Sequence, residues 1–111
     1  MSPAAKMFRQ GDILLVEIEA LPENLLPVLR DDDGGVTIAL GEATGHRHRF
    51  MERHCSLFKD AGVAFDLYLS IDGANAQLVH EEHAGIAVPH GHYQIVRQRE
   101  YMPDRNVVVD D

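Results

Sequence analysis

His46 and His48, separated by Arg47, begin a pattern that recurs in His80-Glu81-Glu82-His83 and in His90-Gly91-His92. Six of the seven histidines lie in these three clusters, and His54 follows His48 by six residues. Imidazole is the commonest protein ligand for first-row transition metals, so the pattern raises metal chemistry first. On a β-strand, residues two apart share a face with Cα atoms about 7 Å apart, and two imidazoles there reach one ion at about 2.0–2.1 Å. His46 and His48 have that spacing, and Arg47 and Arg49 then take the opposite face. His80 and His83 are three apart and can share an ion only across a turn, which Glu81-Glu82-His83-Ala84-Gly85 would supply. Their spacing is one residue short of the zinc-protease His-Glu-x-x-His motif.

The expected ligands are therefore His46, His48, His80 and His83. Glu52, Glu81 and Glu82 are candidates for a further ligand or a general base, or for partners that orient a ring. His90 and His92 flank a glycine after Pro89 and read as solvated turn residues, with His92 as the alternative ligand. Such a donor set suits zinc, iron(II), nickel, manganese or copper, and the affinity order alone does not choose among them. Three histidines with an open position would permit chemistry on a small molecule, whereas four with none would be structural. Arg97 and Arg99 alternate in phase with Tyr93, Ile95 and Tyr101 and could hold an anionic substrate. Cys55 adjoins His54 but would face the other way on a strand, so it reads as a buried, inert thiol. The run Asp31-Asp32-Asp33 reads as solvated charge.

The elements that must position these groups read as strands. Runs rich in aliphatic and β-branched residues at 13–19, 36–40, 46–57, 63–69, 76–80, 86–88 and 93–101 are separated by turn residues. Two prolines, Pro22 and Pro27, make 21–27 an irregular connection with room for one helical turn. No segment has sustained helical periodicity. About seven to eight short strands at such spacing predict an all-β domain, a small β-barrel or sandwich.

At 111 residues the chain is expected to form a single domain, 1–111, with loose tails at 1–8 and 104–111. The net charge is -8, which argues against nucleic acid and anionic membranes as partners. No run of 18 apolar residues is present, the first residues lack a signal-peptide core, and one cysteine fits a reducing compartment, so a cytoplasmic location is expected. Val107-Val108-Val109 could add an edge strand or dock on a second copy, which makes a homo-oligomer possible.

Two resemblances add to this reading. Gly41-x4-His46-x-His48-x3-Glu52 resembles the first cupin motif, and Gly85-x3-Pro89-x-Gly91-His92 is similar to the second. That likeness implies a cupin-like double-stranded β-helix binding one metal through His46, His48, Glu52 and His92. A second resemblance runs through nearly the whole chain. Arg9-Gln10-Gly11-Asp12, Gly41-Glu42-x-Thr44-Gly45-His46-x-His48, Leu78-Val79-His80-Glu81-Glu82-His83 and Arg97-Gln98-Arg99-Glu100-Tyr101 resemble a family of small uncharacterised bacterial proteins. It implies one compact domain and no particular activity. The functional expectation is a histidine-rich metal-binding domain, with metal-dependent chemistry on a small anionic molecule. The rival is a non-catalytic oligomeric interaction module whose histidines are scattered, exposed and pH-sensitive.

Overall fold

The computed structural model describes residues 6–40, 45–62 and 66–97. All regular elements among them are strands: β1 (Met7–Gln10), β2 (Ile13–Ile18), β3 (Leu25–Pro27), β4 (Val36–Leu40), β5 (Arg47–Phe50), β6 (Cys55–Asp60), β7 (Leu67–Ile71), β8 (Ala76–Leu78), β9 (Ile86–Val88) and β10 (Gly91–Arg97). No helix among the described residues is long and apolar enough to cross a membrane. The chain is all-β, as its alternating apolar pattern predicts.

Ten strands exceed the expected seven or eight for local reasons. Met7 and Phe8, in the stretch expected to be loose, pair with Val16 and Leu15 once the chain reverses at Gly11-Asp12. Leu25–Pro27 pairs with β6 although it ends in proline, which is tolerated at a sheet edge. The 46–57 run divides at Met51–His54 into β5 and β6. Arg99, the expected loose tail at 104–111 and the expected docking edge Val107–Val109 lie outside the described residues.

Six strands form one antiparallel sheet in the order β1-β2-β10-β7-β6-β3, so the last strand lies between the second and the seventh. Two hairpin-like pairs, β4-β5 and β8-β9, make the second layer. They are joined where Arg49 and Val79 exchange backbone hydrogen bonds of 3.0 and 2.9 Å. The inward residues of both layers meet in one core. Ile13, Leu15, Leu57, Leu69, Ile71 and Tyr93 come from the large sheet, and Val36, Ile38, Phe50, Ala76, Leu78 and Val88 from the pairs. Tyr93 is fully buried in this core, so strand alternation sends its neighbour His92 to the opposite face of the sheet.

Two contacts fix the second layer near the histidines. On β5, Arg49 is buried and donates to Asp33 through both terminal nitrogens, at 3.0 and 2.6 Å, and to Asp31 at 2.9 Å. The acidic run is thus a clamp on the back of β5, not freely solvated charge. Its glycine partner is Gly35, where an added Cβ would collide with the Arg49 guanidinium and lie 2.7 Å from the Met51 sulfur.

Candidate metal centre

Four imidazoles meet at one end of the sandwich. His48 lies in β5 with His46 just before it, and the 80–83 turn folds back over them because Val79 is tied to Arg49. The His80 ring centroid lies 4.3 Å from that of His48, 4.5 Å from that of His83 and 5.5 Å from that of His46. His48 and His83 stack at 5.9 Å. Arg47 and Arg49 take the other face of β5, where both meet Asp31. The entry to β5 and the 80–83 turn therefore place their four rings side by side, with His80 next to the other three.

Among the described residues, one trio offers ligand atoms all within 4.8 Å of one another: His46, His80 and Glu81. Glu81 is held in place by the Arg47 backbone N–H, which donates to Oε1 at 2.8 Å. That hydrogen bond, with the nearby His46 and His80, holds its carboxyl below the usual range. Glu82 reaches toward His46 at 3.7 Å and is mostly exposed. Its backbone N–H donates to Nδ1 of His80 at 3.0 Å. A ring nitrogen that accepts a hydrogen bond has its lone pair there, so neutral His80 carries its proton on Nε2. Ligation through either nitrogen replaces this bond, and the turn is exposed enough to adjust.

The inner wall comes from the β1-β2 turn. Gly11 has φ of 60°, the left-handed value that a two-residue type II′ turn asks of its first residue. A Cβ there would lie 2.7 Å from Nε2 of His83 and 3.3 Å from Cε1 of His48, so the bare backbone is what admits both rings. Gln10, before it, is 3% exposed. Its amide nitrogen donates to the Leu78 and Ala84 carbonyls at 2.9 and 3.0 Å, and its oxygen lies 2.9 Å from Nδ1 of His48. Asp12, after it, accepts from Nε of Arg97 at 3.0 Å and places Oδ1 3.7 Å from Nε2 of His48. Arg97 also donates to the Leu40 carbonyl. His48 itself is 1% exposed, and burial, reinforced by its neighbour His80, pushes its pKa down to about 4. Burial and His83 lower His80 as well.

Other expected groups go elsewhere. Glu52 accepts the Gln77 backbone N–H at 3.0 Å, at the start of β8. His92 pairs with Ile18 and Ser70 in the large sheet, His90 is exposed, and His54 lies 3.1 Å from the Asn75 carbonyl oxygen. The cupin-type set His46, His48, Glu52 and His92 is thus not brought together; the rings of His46, His48, His80 and His83 are neighbours, but among the described residues only His46 and His80, joined by Glu81, bring ligand atoms within 4.8 Å of one another. Cys55 is fully buried and its thiol is pushed up to about 12 by burial, so it offers no thiolate. Sequence reasoning passed over Gln10 and Asp12 as site residues. The available signal was a polar Gln10 in the same phase as the inward residues of the hairpin.

The molecule is thus an all-β domain with clustered imidazoles and carboxylates at one end. Residues 9–98 match the domain of unknown function DUF8820, and the chain belongs to that family. No curated protein and no solved structure matches it.

Proposed function

We propose that the protein is a metal-binding β-domain whose histidine cluster holds a divalent transition ion. The observation that carries this reading is the convergence of His46, His80 and Glu81 from two separate segments, inside a cluster of four imidazoles. Two imidazoles and a carboxylate are donors for zinc, iron(II), nickel or manganese, and no thiolate stands near to favour softer ions. Three protein donors leave room for water or a small anionic molecule on the same ion. Arg97, at the end of β10, stands at the edge as a cation, partly neutralised by Asp12. The reading therefore extends to metal-dependent chemistry on a small anionic molecule. Clustering of the four rings favours this over an interaction module with scattered, exposed histidines.

Elemental analysis of the full chain, purified without a histidine tag, is the test. The reading expects bound transition metal in the wild type and loss of it in His80→Ala. Wild-type protein that neither carries nor takes up such an ion contradicts it.

A further inference from the structure

We propose a second, inner cation position between Nε2 of His48 and Oδ1 of Asp12, built by Gln10 and Arg97. It rests on the cluster being metal-binding but uses donors other than His46, His80 and Glu81. Gln10 fixes the tautomer of His48. Its amide nitrogen has two hydrogens, and two backbone carbonyls, of Leu78 and Ala84, receive them at 2.9 and 3.0 Å. That fixes which end of the amide is nitrogen, so the other end is an oxygen and can only accept. Nδ1 of His48, 2.9 Å from that oxygen, must therefore be the donor. The neutral ring has one N–H, so Nε2 carries the lone pair.

Asp12 completes the arrangement. Arg97 donates to Oδ2 at 3.0 Å, which holds the carboxylate turned. Oδ1 then stands 3.7 Å from Nε2 of His48. Both atoms are acceptors, one of them on a side chain 1% exposed, and Arg97 engages only Oδ2, so a shared electropositive partner would satisfy Nε2 and Oδ1 together. A separation of 3.7 Å suits one ion, since nitrogen and carboxylate bonds of about 2.0–2.2 Å span it at an open angle. Gln10 is then a positioning residue, acting on the ion through the imidazole as a carbonyl or carboxylate partner does in known metal sites. The His48 ring centroid lies 4.3 Å from that of His80 in the outer trio, and the cluster would hold two ions.

The test combines ring NMR with metal titration of the full, tag-free chain. In metal-free wild type, long-range proton–nitrogen spectra should show His48 protonated at Nδ1, and protonation at Nε2 would overturn the role of Gln10. Calorimetric titration with Co²⁺ should give two equivalents in the wild type. Asp12→Asn, which keeps the shape and the Arg97 contact, should lose one, and His46→Ala should lose the other. Gln10→Leu should weaken the inner equivalent by about ten- to a hundredfold. Gln10→Glu, which keeps an acceptor for Nδ1 but loses both carbonyl contacts, should weaken it less. Equal losses in these two variants would mark Gln10 as merely structural and overturn that part. A wild type with one equivalent, lost in His46→Ala and kept in Asp12→Asn, overturns the inner position and leaves the proposed function standing. No binding at all overturns both.

Discussion

Burial of His48 disfavours its charged form in the fold, and this makes stability depend on pH in a definite direction. Its pKa is about 4 in the fold against 6.5 when exposed, so between those values the unfolded chain binds a proton that the folded chain does not. Stability is then complete above about pH 6.5 and falls as pH drops toward 4. The loss for a shift of this size is at most about 3 kcal/mol. His80, also depressed, acts in the same sense. Asp33 is separate: its hydrogen bond from Arg49 holds its carboxyl at about 2 against 3.8, so its contribution is lost only below about pH 4. Urea unfolding in chelator from pH 7 to 4 should show the first decline, and His48→Gln should flatten it. A profile that is flat in the wild type would mean His48 is not held as described.

The elements that matter most are one turn and one clamp. Gly11 combines a left-handed backbone with the absence of a Cβ against two rings. Gly11→Ala should lower stability by about 1–2 kcal/mol through the strained turn and should displace His83. The expected readout is a shifted His83 ring resonance together with the lower stability, and an unshifted ring would mean that the turn gives way instead. Arg49 ties β5 to the acidic loop and, through its backbone, to Val79, which brings the 80–83 turn over the site. Arg49→Ala should cost about 2 kcal/mol in denaturant unfolding, below the figure for a fully buried pair because Asp31 and Asp33 remain partly in water. Little change would mean that the backbone bridge alone holds the turn. The strand carrying His48 was legible because period-two alternation is local, whereas the approach of His80 to both His46 and His48 depends on contacts distant in sequence. Glu81 could be named from its neighbours, but its role depends on the Arg47 N–H, which only the long-range Arg49-Val79 bridge brings near. Asp12 was illegible for the same reason and Gln10 was marked only by its inward phase, both lying more than 35 residues from His48 in sequence and relevant only once β1-β2 is set across the core.

At the scale of the molecule, the proposed centre joins three segments that the chain would otherwise leave apart: the β1-β2 turn, the entry to β5 and the turn after β8. An ion bound there should stabilise the whole fold, by about 2.7 kcal/mol at a free concentration a hundred times its dissociation constant. Zn²⁺ should therefore raise the melting temperature by several degrees, and chelator should reverse it. The strands themselves were legible along most of their length because their burial alternates with period two, as in β2, β4 and β6. Their order was not, since pairing β10 between β2 and β7 depends on contacts across the length of the chain. Anomalous diffraction from crystals of the tag-free protein grown with Zn²⁺ decides whether the cluster holds an ion. A peak is expected about 2.0–2.2 Å from nitrogens of His46 and His80 and an oxygen of Glu81. A well-ordered cluster with no anomalous peak, or peaks only at sites such as His90 or the Asp31–Asp33 loop, would contradict it.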